Sequence, residues 1–153
     1  IYNFDIKKLT NIVSLSCSRI TTDDGIKFLT NLTDLSILNN YQISDNSIII
    51  LTNLTSLSIN NTNKISDNSI KFLTNITRLN ISDTCANLTN DSIRKLTNIC
   101  SLSVDIYNLH QDTIKNFKNL TELHLGYYCK PITNLKQLEL LNIYTIGGHN
   151  QLV

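Results

Sequence analysis

Apolar and polar residues recur along the chain in blocks of nearly constant length. The tripeptide Leu-Thr-Asn marks each block and begins at Leu9, Leu29, Leu51, Leu73 and Leu96, with degenerate versions at Phe117 and Leu135. Successive copies are 18 to 23 residues apart. A repeat of this period predicts a solenoid, because units that cannot bury their apolar faces alone can bury them by stacking.

The first half of each unit predicts a β-strand. In the third unit Leu57 and Ile59 are apolar, and Ser58 between them is polar. Alternation with a period of two is typical of a strand that buries one face. We therefore predict a short strand from Thr55 to Asn60.

The second half of each unit has a different period. Its apolar residues in the third unit are Ile65, Ile70, Leu73 and Ile76. Steps of three to five residues predict a short helix with one inward stripe. Ser66 or Asp67 can be its N-cap, because a side-chain oxygen there can accept a hydrogen bond from an N–H of the first turn.

Stacking of such units predicts the fold class. The strands align into a curved parallel β-sheet and the short helices cover its convex side, which gives an α/β solenoid. We expect residues 1–153 to form one domain of about six to seven repeats. The chain contains no Met, even at position 1, so we expect it to be a fragment of a longer protein.

The pattern LxxLxIxxTxxI in these units resembles the leucine-rich repeat. The stretches ISDNSIKFL and ITTDDGIKFL resemble its cysteine-containing subtype, and Cys17 lies at an apolar strand position. The sequence departs from that subtype in its shorter units and in Asn40, Thr62 and Thr84, which replace the Cys column. The resemblance implies a protein–protein interaction module that recognises a macromolecular partner on its concave face. The subtype implies the substrate-recognition part of an F-box-type ubiquitin-ligase receptor.

Composition narrows the classes of partner. The chain is 41% hydrophobic and 16% charged, as in globular proteins, and its net charge is +1. This charge argues against a strongly basic nucleic-acid binder, so we expect no nucleic-acid partner. The longest apolar run has four residues, Ile48 to Leu51, far below a membrane span, and we expect no membrane partner.

The abundance of Asn and Ile and the single Ala predict a gene of low GC content. Such genes are typical of a protist, a giant virus or an intracellular bacterium. The last two sources add a host-directed effector to the functional alternatives.

Alternate strand residues are expected to face the concave surface. We predict its central column to be Ser16, Ser36, Ser58, Asn80, Ser103, His124 and Asn142, with the seventh strand running from Glu139 to Tyr144. Aromatic residues with an adjoining charge are typical of partner-binding patches, because they bury a large area at low cost in entropy. The candidate partner-binding set is Arg78, Asp105, Ile106, Glu122, His124, Tyr127 and Tyr144. Simple solvent exposure is the alternative for His124, Tyr127 and Tyr144, and inward packing at the turns is the alternative for Tyr107 and Tyr128.

The cysteines do not form a local metal-binding motif. They are Cys17, Cys85, Cys100 and Cys129, and no two have the C-x-x-C spacing, so we expect no metal site and no cofactor. We interpret Cys17 as a core residue and the four thiols as free, which favours an intracellular location.

Eight N-x-Ser/Thr sequons leave secretion as the alternative to that location. Glycans at Asn60 and Asn80 would block the concave face, which favours the intracellular interpretation.

An enzyme is the remaining alternative. His124 could act as a base for Ser103 or Cys100, as in a hydrolase. Ser103 is also one member of a serine column, which explains its presence structurally, and Cys100 falls outside the concave columns. We therefore expect no enzymatic activity and no catalytic residue.

Overall fold

The computed structural model describes residues 6–17, 19–82, 87–104 and 109–126, together with the backbone of the strand at 142–145. Seven strands and five helices lie within these residues. The strands are β1 Ser14–Cys17, β2 Asp34–Leu38, β3 Ser56–Asn60, β4 Arg78–Ser82, β5 Ser101–Val104, β6 Glu122–Leu125 and β7 Asn142–Thr145. The helices are α1 Asp23–Ile26, α2 Asp45–Ile48, α3 Asp67–Ile70, α4 Asn90–Ile93 and α5 Gln111–Ile114.

The strands form one open, curved, parallel sheet in the order of the sequence. Each strand pairs with the equivalent strand of the next unit, so that Leu35, Leu57 and Leu79 lie side by side. The central column predicted from the sequence is confirmed from β1 to β6, where Ser103 lies opposite His124.

The core lies between the sheet and the helices. Leu57 and Ile59 of β3 are buried, whereas Ser58 between them is only partly covered. Each of the four residues of the predicted inward stripe, from Ile65 to Ile76, is fully buried. The stripe extends past helix α3, because the chain continues in tight turns in which the N–H of Leu73 donates to Ile70 and that of Ile76 donates to Leu73. Closely packed turns therefore bury the apolar positions that the sequence assigns to a single helix.

Carboxylates on the helix side join each unit to the next. Asp45, the first residue of α2, accepts hydrogen bonds from the N–H of Ser66 at 2.8 Å, from its hydroxyl at 2.6 Å and from the hydroxyl of Ser69 at 2.5 Å. Ser66 is the N-cap of α3, and its Oγ accepts from the N–H of Asn68. One carboxylate thus holds the start of the next helix.

The same arrangement repeats along the stack. Asp23 binds Ser44 and Ser47 in the following unit, and Asp67 binds Thr89 and Ser92. We call this set of contacts the aspartate ladder.

The ladder changes its chemistry at α4. The equivalent residue there is Asn90, whose Oδ1 accepts from the N–H of His110 and the hydroxyl of Thr113, each at 2.8 Å. The N-cap residue His110 has no hydroxyl to donate. The amide oxygen of Asn90 thus replaces a carboxylate between the two units in which the hydroxyl of the N-cap residue, the third hydrogen-bond donor elsewhere, is missing.

A second ladder explains the recurring Leu-Thr-Asn. The amide nitrogen of Asn53 donates to the carbonyl of Thr30 at 2.9 Å, and that of Asn75 donates to Thr52 at 3.0 Å. The Thr that follows two residues later, such as Thr55, donates its hydroxyl to the carbonyl of Thr33. Both polar residues of these sequons contact the preceding unit. This structural role is sufficient to explain why the motif recurs.

The turn after each strand is also built from side-chain contacts. Asn40 is fully buried, donates to the carbonyl of Thr21 and accepts from the N–H groups of Gln42 and Ile43. Thr62 is buried as well. These two residues therefore fill the same inward turn position in successive units, whereas Thr84, Tyr107 and Tyr128 lie outside the described residues.

The register of the last strand corrects the sequence prediction. The structure pairs Asn142 with Glu122 and Tyr144 with His124, so Tyr144 and not Asn142 stands in the central column. Strand β7 also begins later than the predicted Glu139. A shift of two residues keeps every side chain on the same face, so alternation alone cannot distinguish the two registers.

Cys17 is in the core, as the sequence predicts. It is 5% exposed, and burial raises the pKa of its thiol to about 12. Its thiol is therefore protonated and unreactive at neutral pH.

Replacing Leu57 with Asp tests the face assignment. We expect Leu57→Asp to reduce the free energy of unfolding by about 4 kcal/mol or more, because it buries a charge without a partner. Ser58→Asp, one residue along, is expected to cost less than about 1 kcal/mol because its side chain reaches solvent. Chemical denaturation of both variants measures the difference, and equal losses would contradict the strand register.

The aspartate ladder predicts a pH dependence of stability. Burial raises the pKa of Asp67, but its hydrogen bonds from Ser92 and Thr89 outweigh burial and leave that pKa below its ordinary value. The ionised Asp67 therefore makes its full contribution to stability above the unfolded-state pKa of about 3.9. This contribution is lost as the pH falls through the lower pKa of the folded state. Asp67→Asn is expected to lower the free energy of unfolding at neutral pH by about 1 kcal/mol. It should also make the free energy of unfolding less dependent on pH in the acidic range.

The control for this prediction is Asp91→Asn. Asp91 is exposed and its carboxylate pairs with Arg94 of its own unit. If Asp91→Asn reduced the acid dependence of the free energy of unfolding as much as Asp67→Asn does, a special role of the ladder would be refuted.

Candidate interaction surface

Six strands present two columns of polar side chains to the concave face. The central column consists of Ser16, Ser36, Ser58, Asn80, Ser103 and His124, and the preceding column of Ser14, Asp34, Ser56, Arg78, Ser101 and Glu122. Their side chains are exposed or partly exposed. Parallel pairing in register places these side chains in straight rows, which the strand alternation keeps away from the core.

A shallow depression of about 420 Å³ lies in the middle of this face. It crosses β3 to β6 and is lined by Ser56, Leu57, Ser58, Arg78, Leu79, Asn80, Ser101, Ser103 and His124. Hydroxyl and amide groups therefore surround its opening. Serine side chains contribute little volume on adjacent strands, which leaves this space open, and the larger side chains of Arg78 and His124 also line it.

One ion pair crosses the concave face. A guanidinium nitrogen of Arg78 lies 3.7 Å from a carboxylate oxygen of Asp34, across Ser56 on the intervening strand. The two side chains are 64% and 42% exposed. An exposed pair of this length contributes less than about 1 kcal/mol, so the guanidinium can turn to another carboxylate at little cost.

The structure brings together part of the predicted partner-binding set. Arg78 and His124 line the depression, and Glu122 is exposed beside it in the preceding column. Tyr144 takes the register position opposite His124. The remaining members, Asp105, Ile106 and Tyr127, lie outside the described residues.

The depression also includes residues outside the candidate partner-binding set. Ser58, Asn80 and Ser103 of the central column line it. The signal that could have identified them was the uninterrupted run of small polar residues in one column. Charge and aromatic character, which guided the candidate set, select Arg78 and His124 but not these small polar residues.

The geometry offers little for hydrolysis. Ser103 lies opposite His124 on the neighbouring strand, and both border an open depression. Cys100 is partly buried before β5, where its Sγ lies 3.5 Å from the carbonyl of Asn98. Efficient acyl transfer needs preorganised donors in a site that excludes water, and an open polar face does not exclude it.

Neither a metal-binding cluster nor a membrane-spanning helix occurs among the described residues. No group of three or more His, Cys, Asp or Glu side chains comes together there in a way that could hold a metal ion. Within the same residues, no helix has the length and apolar character needed to cross a membrane.

Comparison with solved structures identifies the fold. A chain in the structure of the Toll–Spatzle complex, a molecular hub in Drosophila development and innate immunity, superposes with a TM-score of 0.58 over 96% of this chain at 14% sequence identity. The fold is a leucine-rich-repeat solenoid. The solenoid spans 28% of the length of that similar chain. No family model and no curated protein matches the sequence.

We expect the ion pair on the concave face to matter little for the stability of the solenoid. Arg78→Gln should change the free energy of unfolding by less than about 1 kcal/mol, because both partners are largely exposed. Thermal or chemical denaturation measures the change, with Asp34→Asn as the matched partner variant. A loss of about 3 kcal/mol or more in either variant would show that Arg78 is structural and would remove it from the candidate surface.

Proposed function

We propose that the solenoid is a protein–protein interaction module that binds a segment of another protein along the concave face of β3 to β6. The observation that supports it is the open polar depression across four consecutive strands. An open and extended surface suits a macromolecule, whereas a small substrate is usually held in an enclosed, mainly apolar pocket.

The chemistry of the depression indicates what the partner segment offers. Hydroxyl groups of Ser58 and Ser103 and the amide of Asn80 can each donate and accept hydrogen bonds, which matches an extended backbone. Arg78 at its side favours a carboxylate on the partner, for which it would exchange Asp34. A partner segment with an acidic residue near a stretch of small or polar residues fits this arrangement.

The comparison adds support by analogy. The similar chain comes from a complex of two proteins, Toll and Spatzle, so a related solenoid fold occurs in a protein complex. At 14% identity this likeness concerns the fold, and function has to be argued from the surface of this chain.

Finer roles remain hypotheses from the sequence. The substrate-recognition part of an F-box-type ubiquitin-ligase receptor and a host-directed effector would both use the concave face in the way proposed here. The sequence upstream of Ile1 in the full-length gene separates them, since the first role requires an F-box there. An intracellular location is proposed on the reasoning that glycans at Asn60 or Asn80 would obstruct β3 and β4.

Differential affinity capture tests the proposed surface. The bait is the whole chain, the lysate comes from the source cell or its host, and the test variant combines Ser58→Arg, Arg78→Ala and His124→Ala. The long side chain at position 58 obstructs the depression, and the other two changes remove the large side chains that line it. We expect specific partners to be recovered about tenfold less or lower with this variant, as measured by quantitative mass spectrometry.

The control variant is Phe72→Asn, because Phe72 is an exposed residue just after helix α3 and does not line the depression, so this variant should retain the same partners. Partners lost with Phe72→Asn but kept with the triple variant would refute the concave site. A Tyr127→Ala, Tyr144→Ala variant tests in the same assay whether the site extends to the rest of the candidate set.

A further inference from the structure

Charges of alternating sign lie in one row of the concave face. The column that precedes the central one carries Asp34 on β2, Arg78 on β4 and Glu122 on β6. Serines occupy the same position on the intervening strands β3 and β5. In the two concave columns of β1 to β6 no other Asp, Glu, Lys or Arg occurs. We use the name charge row for Asp34, Arg78 and Glu122.

Each member of the charge row is accessible to a partner. The side chains of Asp34 and Arg78 are 42% and 64% exposed, and Glu122 is exposed as well. The ion pair between the first two is 3.7 Å long and exposed, so a partner can separate it at little cost. The row therefore offers an acid, a base and an acid to a bound chain.

The spacing of the charge row selects the conformation of a bound segment. Neighbouring strands lie about 4.8 Å apart, so charges on alternate strands are about 9.6 Å apart. Polyproline II rises about 3.1 Å per residue with three residues per turn, which brings every third residue to one face at steps of about 9.3 Å. In a β-strand the residues of one face recur at about 6.7 and 13.4 Å, and both distances miss the row.

The polar groups of the depression distinguish polyproline II from an α-helix. Helix residues seven positions apart are separated by about 10.5 Å and would roughly match the charge row. The backbone groups of a helix are bonded to one another, however, whereas polyproline II has no internal hydrogen bonds and leaves its carbonyls as acceptors. Ser58, Asn80 and Ser103 of the neighbouring central column can donate to such carbonyls. The depression therefore supplies the hydrogen bonds that the backbone of a polyproline II segment lacks.

We propose that the concave face binds a polyproline II segment in which a basic, an acidic and a basic residue recur at every third position. The segment crosses β2 to β6, where its basic residues face Asp34 and Glu122 and its acidic residue faces Arg78. This proposal rests on the proposed protein-binding function and adds to it the conformation and the charge order of the partner segment. Because the charge order is symmetric, it leaves the direction of the segment open.

Fluorescence anisotropy with labelled, end-capped peptides tests the proposal on the whole chain. The probe is the peptide KPSEPSK. The comparison peptides are KPEPKSS, which has the same composition with charges at every second position, and KPSKPSK, in which the middle charge is reversed. We expect the chain to bind KPSEPSK about fivefold more tightly than either, and added salt to reduce this difference.

Reversing the middle charge of the row provides the test variant. Arg78→Glu is expected to invert the preference, so that KPSKPSK binds about fivefold more tightly than KPSEPSK. The matched control is Arg94→Glu, which changes the net charge equally at an exposed residue after helix α4 that does not line the depression. This control should prefer the same peptide as the unchanged chain, and unfolding curves establish that both variants are folded.

Three results would overturn the charge row as a recognition element. They are equal affinities for the three peptides, a preference that Arg78→Glu leaves unchanged, and no binding of KPSEPSK at about 1 mM. Tighter binding of a helical peptide with the same charges at every seventh residue would overturn the polyproline II conformation.

Affinity capture judges the protein-binding function separately. Cellular partners may be lost with the Ser58→Arg, Arg78→Ala, His124→Ala variant while the peptides show no preference. That combination would retain the proposed function and refute only the charge order of the partner segment.

Discussion

The hydrogen bonds between successive units are the constraint on which the rest of this structure depends. Helices of four residues have no independent stability, because helix nucleation costs more than so few internal hydrogen bonds return. Here the starts of helices α2 to α5 are each held by a carboxylate or amide from the unit before, as Asp45 holds Ser66 and Ser69. Each unit therefore becomes ordered only in the presence of its neighbour, and the stack behaves as a one-dimensional cooperative array.

This constraint determines where the surface can vary. The Asp, Asn and Thr residues of the ladders bind the adjacent units, and the apolar stripe packs in the core, so these positions cannot vary freely. The concave columns and the second position after each helix can vary, and there the chain changes from Ser58 to Asn80 or from Phe72 to Lys95 between successive units. Features specific to this protein are accordingly concentrated on its two faces.

The two faces of the solenoid differ in chemistry. The concave face presents polar columns and a depression whose small hydroxyl side chains leave room for another chain. The helix side exposes Phe28, Ile50 and Phe72 together with aspartates and lysines that largely balance each other in charge.

The sequence by itself determined the architecture of this protein, because a repeated pattern of alternating and stripe-like apolar residues can be buried in only one way. It identified the core stripe of Ile65 to Ile76, the buried Cys17 and turn position of Asn40, and the strand register from β1 to β6. It did not fix the register of β7, because a shift of two residues preserves the faces. It also left open which of Ser66 and Asp67 caps α3, since both can accept from the first turn.

Only the tertiary structure decided which polar residues act across units and which remain available. Asp67 and Asp91 are indistinguishable by residue type, yet one carboxylate holds the next unit and the other pairs with Arg94 of its own unit. The serine-lined depression likewise becomes visible only when stacking places residues about 22 positions apart side by side. The physical reason is that a sequence pattern shows which positions of each unit are buried. Which side chains meet between units depends on the course of the backbone in three dimensions.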